Sequence, residues 1–158
     1  MKLDNHGIKI IADFEGLSLK PYYATEKEKE KGIATIGYGN TFYPNGVKVK
    51  ITDKPITEKK AFEILGVVAN DFALRVGSLI HKPVNQHQFN AVVSLAYNIG
   101  IGAFSTSTLL RKLNWNPNDE EISYEFSRWN KQAGQVLRGL TKRRQYESKI
   151  YFTDETPI

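Results

Sequence analysis

Residues 85–99 read NQHQFNAVVSLAYNI. A helix over this stretch would be apolar around most of its circumference, and a helix of that kind is buried. Asn85 followed by Gln88 three residues later resembles a capping box, which predicts that the helix begins there. We therefore expect a central core helix that ends before Gly100, with an apolar surface formed by Phe89, Val92, Val93, Leu95, Ala96 and Ile99.

Other helices are predicted on both sides of this core helix. Thr57 suits the N-cap of a long helix that extends to about residue 77. Residues 5–15 have apolar side chains at helical spacing, and Gly16 suits the end of that helix. Three shorter helices are expected after the core helix, near residues 106–114, 119–129 and 140–152.

The segment of residues 17–52 has a different composition, with frequent Tyr, Thr, Ile and Val and regular glycines. It predicts short strands near 18–24, 33–39 and 46–51. The alternating run Glu26–Lys31 is interpreted as a solvated hairpin tip.

These elements predict an α+β fold in one domain over residues 1–158. The β-rich lobe would span about 16–54, and the helical lobe would span 5–15 and 55–152. A cleft between the lobes would have Glu15 at its edge.

Composition and charge narrow the function classes. The chain has no cysteine, and its three histidines show no metal-ligand spacing, so no disulfide or metal site is expected. The net charge of +5 suits an anionic partner such as nucleic acid, lipid or the bacterial envelope. No nucleic-acid reading motif is present. No apolar stretch reaches the length of a membrane span, and the N-terminus lacks the pattern of a signal peptide, so we expect synthesis and retention in the cytoplasm without membrane insertion.

Glu15 is the first candidate for chemistry. A carboxyl group at the C-terminal end of a helix faces the negative end of the macrodipole, which favours its protonated form. A protonated carboxyl group is what glycosidic bond cleavage needs to protonate the leaving oxygen. Thr35-Ile36-Gly37-Tyr38-Gly39 is the second signal, since glycines within a strand indicate either a kink or a close approach to the backbone.

Several segments together resemble the phage-type (T4-like) lysozymes and endolysins of glycoside hydrolase family 24. The resemblance follows the order of nearly the whole chain, and no single segment would be specific by itself. The segments are Phe14-Glu15-Gly16-Leu17, Lys20-Pro21-Tyr22, Thr35 to Gly39, Gln88 to Ala91, Ser94 to Gly100, Phe104, Ser107 to Leu110, Arg128-Trp129-Asn130, Gly139-Leu140 and Arg143-Arg144.

The resemblance implies a muramidase that hydrolyses the bond between N-acetylmuramic acid and N-acetylglucosamine in peptidoglycan. Glu15 and Thr35 match the family's catalytic Glu and Thr, and substrate contacts are implied for Thr41, Tyr97 and Ser107. Tyr97 could instead be a core aromatic, and Ser107 an N-cap. Acid/base cleavage of this kind requires no cofactor. The resemblance further implies a lysozyme-like fold in which a long helix joins the two lobes. It also implies a monomer, and a holin that would release it to the wall.

The chain departs from the family pattern at Ala24, where the second catalytic group (Asp or Cys) is expected, and the Glu-Lys run is inserted directly after it. Alanine can act neither as a base nor as a nucleophile. A glutamate of the insertion (Glu26, Glu28 or Glu30) could take the role, or Thr35 could position the water. A lytic transglycosylase reaction would need only one acid/base, and a catalytically impaired wall-binding module would need none. Ala24 could also be an engineered replacement.

The C-terminal third is rich in basic residues. They are interpreted as an exposed basic face, which would favour adhesion to an anionic cell wall. The residues are Lys131, Arg138, Lys142, Arg143, Arg144 and Lys149.

Overall fold

The computed structural model describes residues 1–153. Eight helices and four short strands are formed within these residues, which confirms the predicted α+β class. In chain order they are α1 (Asn5–Glu15), β1 (Ser18–Tyr22), α2 (Glu26–Glu30), β2 (Thr35–Gly37), α3 (Glu58–Leu79), α4 (Gln86–Ile99), α5 (Ile101–Ser105), α6 (Thr108–Trp115), α7 (Ile122–Ser127), β3 (Lys131–Gln132), β4 (Gln135–Val136) and α8 (Arg138–Tyr151).

The chain forms two compact units, and their boundary falls within α3. One unit comprises Ile8–Asp71, and the other comprises Met1–Gly7 and the chain from Phe72 onward. Most of α1 and the first part of α3 therefore group with strands β1 and β2. The lobe limits expected from the sequence stay a prediction.

The unit of residues 8–71 has its core beneath a two-stranded antiparallel sheet. Ser18 of β1 lies opposite Gly37 of β2, and Tyr22 lies opposite Thr35. The buried cluster is formed by Ala34, Ile36 and Val49, and Tyr23, Tyr43 and Ile56 pack against it.

The strand predicted over residues 46–51 is wrong, because the segment makes only one isolated bridge, between Phe42 and Lys48. Two backbone hydrogen bonds of 2.9 Å flank this bridge, from Tyr43 N to Val47 O and from Val49 N to Thr41 O, and the Tyr43 hydroxyl donates to Asp53 Oδ2 at 2.7 Å. The bond between Tyr43 and Asp53 joins residues ten positions apart, and the alternation of apolar and polar residues along a strand does not reveal such a contact.

The other unit is organised around α4. Residues 88–96 of α4 are all buried. Helix α8 packs along α4, and α7 packs against α8. The capping box is confirmed: Asn85 Oδ1 accepts from Gln88 N at 2.8 Å, and Gln88 Oε1 accepts from Asn85 N at 3.0 Å.

Two elements of this unit were not predicted. The short helix α5 follows Gly100 directly, which at φ +94° ends α4 and starts a new turn. The hairpin β3–β4 turns at Ala133 and Gly134, which both have positive φ, as a two-residue hairpin turn requires. No helix within residues 1–153 is both long and apolar enough to span a membrane.

Candidate active site

Glu15 is the last residue of α1, as the sequence predicted. The helix buries Ile8, Ile10 and Ile11, and Ile8 lies against Gly66 of α3, whose Cβ position would be 3.4 Å from Ile8 Cδ1. Gly16 adopts φ +73°, a left-handed conformation that ends the helix. The Glu15 side chain is therefore half-buried at a helix terminus whose position is set by packing.

The glycine segment forms a tight turn beside Glu15. Ile36 and Asn40 exchange two backbone hydrogen bonds of 2.9 and 3.0 Å across the turn, so the strand predicted over 33–39 ends at Gly37. Gly39 has φ +83°, and a Cβ atom there would lie 3.6 Å from Glu15 Oε2. The missing side chain leaves the carboxyl group next to bare backbone. The turn provides the kink that glycines within a strand indicate, and the close approach of a ligand stays a prediction.

Thr35 and Asn40 lie on either side of this turn and are 4% and 5% exposed. The buried Oδ1 atom of Asn40 accepts no hydrogen bond from any described residue. Burial raises the pKa of the intervening Tyr38 hydroxyl, and the carboxylates of Glu58 and Asp13 act in the same direction. The turn is thus a compact polar segment whose side chains are shielded from water.

Thr41 follows this turn and is half-buried. Its carbonyl oxygen accepts from Val49 N at 2.9 Å, which ties the end of the turn to the loop beyond it. The unit of residues 8–71 therefore contains Glu15, Thr35 and Thr41 of the predicted site residues.

Ala24 is exposed and lies between β1 and α2. The insertion after it connects two antiparallel strands, as predicted, but it is helical rather than a simple hairpin tip. Thr25 caps the helix by accepting from Glu28 N at 3.0 Å, and Glu and Lys both favour helix. Glu26 and Glu30 are exposed, whereas Glu28 is half-buried and its Oε2 is shielded without a hydrogen-bond partner among the described residues.

Tyr97 and Ser107 belong to the other unit. Tyr97, on α4, packs edge-to-face against Phe72, with ring centroids 5.5 Å apart. Ser107 is 8% exposed and is the N-cap of α6: its Oγ accepts from Leu110 N at 3.1 Å and donates to Phe104 O at 2.7 Å. The N-cap role expected for Ser107 is therefore present, whereas Tyr97 is half-buried rather than part of the buried core. The substrate contacts of both residues stay a prediction.

The predicted basic face is wrong for Arg143 and Arg144, which are 4% and 1% exposed. Glu147 on the next turn of α8 is fully buried and accepts from both arginines, at 3.2 Å from Arg143 Nε and 2.8 Å from Arg144 Nη1. Ser94 of α4 donates to the same carboxylate at 2.5 Å. The spacing of Glu147 three and four residues after the arginines is the sequence signal that could have indicated this cluster. Lys131, Arg138, Lys142 and Lys149 are exposed.

Within residues 1–153, no group of three or more His, Cys, Asp or Glu side chains is arranged to hold a metal ion.

Comparison with known proteins places this geometry in a family. The family profile described as "Phage lysozyme" matches residues 12–147. The endolysin of Bacillus phage B103 is 39% identical over 156 residues, which cover 99% of this chain and 56% of that protein. The chain thus spans little more than half the length of such relatives, whereas the endolysin of Salmonella phage P22 is 34% identical and is covered over 99% of its length.

Solved structures agree with the sequence comparison. The endolysin from Escherichia coli O157:H7 phage FAHEc1 superposes with a TM-score of 0.82 at 33% identity, covering 100% of this chain and 98% of that one. The muramidase domain of SpmX from Asticaccaulis excentricus gives a TM-score of 0.77 at 29% identity, covering 97% and 99%. The fold, the position of Glu15 beside the glycine turn and the match over residues 12–147 lead to one conclusion: the chain belongs to the phage lysozyme family.

Proposed function

We propose that the chain is an endolysin-type muramidase, which hydrolyses the β-1,4 bond between N-acetylmuramic acid and N-acetylglucosamine with Glu15 as the general acid. The observation that carries this proposal is the 3.6 Å approach of the Gly39 Cβ position to Glu15 Oε2 within a phage lysozyme fold. A glycine at that point leaves room for a substrate to reach the carboxyl group, which must contact the leaving oxygen.

The second catalytic group has to come from a residue other than Ala24. Ala24 offers no base, so the water or nucleophile has to be handled by another side chain. Thr35 is our first candidate, because its hydroxyl lies on the strand that leads into the glycine turn. Glu28 is the second candidate, because it alone among the insertion glutamates is half-buried with a shielded carboxylate oxygen.

Substrate contacts are proposed for Thr41, Tyr97 and Ser107 by their match to the family motifs. Since the Ser107 hydroxyl already accepts and donates one hydrogen bond each, it would contact a sugar through its remaining acceptor capacity. We propose a holin as the partner that releases the chain to the wall, because relatives of the chain are named as endolysins.

The experiment is digestion of purified peptidoglycan followed by mass spectrometry of the products. Hydrolysis gives reducing N-acetylmuramic ends, whereas a lytic transglycosylase gives anhydro ends and would explain Ala24. The Thr35→Ala and Glu28→Gln variants are compared in the same assay, with Thr35→Ser as the control that restores the hydroxyl. Products from neither the unmodified chain nor its variants would overturn the enzyme proposal and leave a wall-binding module.

A further inference from the structure

Trp115 is an exposed tryptophan on the unit that begins at Phe72. It is the last residue of α6, and it is 85% exposed although α6 buries Leu109, Leu110 and Leu113 on its other face. Indole rings usually contribute to cores and interfaces because they remove a large apolar area from water. This indole contributes to neither within the described residues.

A depression of about 600 Å³ lies beside Trp115. This volume is within the range of ligand-binding clefts. Arg111 lies one helical turn before Trp115, so both side chains project from the same face of α6. The complete lining is Arg111, Lys112, Asn114, Trp115 and Asp119.

The backbone on both sides of Trp115 is held by side chains. Asn114 donates from Nδ2 to Leu79 O at 2.9 Å and accepts at Oδ1 from His81 N at 2.7 Å. On the other side, the Pro117 carbonyl oxygen accepts from the Tyr151 hydroxyl at 2.6 Å. The indole is therefore presented on a fixed support, and little conformational entropy would be lost when it binds a ligand.

The cationic side chains of Arg111 and Lys112 beside the indole indicate which kind of ligand would bind there. Lys112 forms an ion pair with Glu121, whereas Arg111 has no carboxylate partner among the described residues. A cation beside an exposed indole suits a ligand that has both an apolar face and anionic or carbonyl groups. The glycan strand of peptidoglycan has both, since its pyranose rings present C–H faces and its substituents carry acetamido carbonyls and carboxylates.

We propose that Trp115 and Arg111 form a second glycan-binding surface, which holds peptidoglycan strands through residues other than those proposed for catalysis. This proposal rests on the proposed muramidase function for its choice of polymer. Trp115 stacks on a sugar ring, and Arg111 donates hydrogen bonds to the acetamido or carboxylate oxygens. A second copy of the chain is a poorer occupant, because the lining other than Trp115 is polar and a homodimer interface needs an apolar core.

The test measures binding without cleavage, by sedimentation with purified peptidoglycan sacculi stripped of secondary polymers. All variants are made in the Glu15→Gln background, so that the sacculi stay intact. Trp115→Ala is expected to bind about threefold to tenfold more weakly, which corresponds to the loss of one aromatic contact. Trp115→Phe should bind with intermediate strength, and Arg111→Ala should lose binding most strongly at low salt. Tyr124→Ala is the matched control, since Tyr124 on α7 is 64% exposed and lies outside the depression.

A second assay separates this surface from the catalytic residues. With Glu15 intact, Trp115→Ala is expected to solubilise sacculi more slowly but to hydrolyse short soluble glycan fragments at an unchanged rate. Unchanged binding to sacculi would overturn the proposal, as would a parallel loss on soluble fragments. A dimer in sedimentation velocity that Trp115→Ala dissolves would also overturn it. If the unmodified chain cleaves nothing, the proposed function fails, yet the binding comparison still decides whether Trp115 holds glycan.

Discussion

At the scale of single residues, the candidate site depends on the lack of a side chain at Gly39 as well as on the Glu15 carboxyl group. Gly39 adopts φ +83°, which a glycine tolerates and other residues rarely adopt. The same position faces Glu15 Oε2 at 3.6 Å. The backbone conformation at position 39 and access to the Glu15 carboxyl group thus both require glycine. Mutation can separate these two requirements.

Gly39→Ala is expected to lower the free energy of unfolding by about 1–2 kcal/mol, because an L side chain is strained in the left-handed region. It should also lower the rate of peptidoglycan cleavage, because the new methyl group would cover the Glu15 carboxyl group. Gly46→Ala is the control, since Gly46 has the same φ of +83° and nothing within 4 Å of its Cβ position. Thermal unfolding and a sacculus-clearing assay measure both effects. Equal cleavage rates in the two variants would show that access at Gly39 is unimportant.

At the scale of elements, the sequence predicted what is decided locally. The helix of residues 5–15 and the core helix after Asn85 are confirmed, because apolar spacing and capping side chains lie within each element. The strand over 46–51 was wrong, because the segment makes one isolated bridge, and its partner Phe42 lies outside the segment. The hairpin β3–β4 was missed although its strands pair with each other across a two-residue turn, because each strand has only two residues. Short strands carry too few alternating residues to show their period.

The loop around Tyr43 gives an element-scale prediction of pH dependence. Hydrogen bonds from Lys50 N and the Tyr43 hydroxyl lower the pKa of Asp53, and burial with this bond raises the pKa of Tyr43 to about 12. A carboxyl group whose pKa is lower in the folded state stabilises the fold above its unfolded pKa of about 3.9. That contribution is lost as the pH falls through the folded value.

Tyr43→Phe should therefore reduce the loss of stability between about pH 5 and pH 2, since one of the two hydrogen bonds to Asp53 is removed. Denaturant unfolding at a series of pH values measures the slope. Tyr23→Phe, which alters a tyrosine packed against the same cluster, should leave the slope unchanged. A slope that is the same in Tyr43→Phe and the unmodified chain would contradict the assignment.

At the scale of the whole molecule, buried charge links helices that are far apart in the sequence. Glu147 of α8 contacts Arg143, Arg144 and Ser94, and Arg144 also donates to Asn98 of α4. The sequence suggested that the two arginines were exposed, because their charge is visible in the sequence, whereas the packing of α8 against α4 is not. The same limit applies to the active site: Glu15 and the glycine segment were predicted, whereas the shielding of Glu28 was not.

Glu147→Gln is expected to cost about 3–5 kcal/mol of the free energy of unfolding, because it removes the buried carboxylate charge that the Arg143 and Arg144 guanidinium groups both contact. Glu121→Gln is the matched control, since Glu121 also pairs with a cation, Lys112, but its side chain is 71% exposed. An exposed pair of that kind contributes about 0–1 kcal/mol. Chemical denaturation compares the two variants. A loss in Glu147→Gln no larger than in Glu121→Gln would show that the buried cluster does not stabilise the fold.

The most direct test of the central claim is the rate at which the chain and its Glu15→Gln variant release soluble fragments from purified peptidoglycan. Asp13→Asn serves as the control, because Asp13 is an exposed carboxylate on the same helix. If Glu15 is the general acid, Glu15→Gln should lose a factor of about 10²–10⁴ in rate while it remains folded and bound to the wall. Asp13→Asn should keep its rate. A folded Glu15→Gln variant that cleaves peptidoglycan as fast as the unmodified chain would contradict the account.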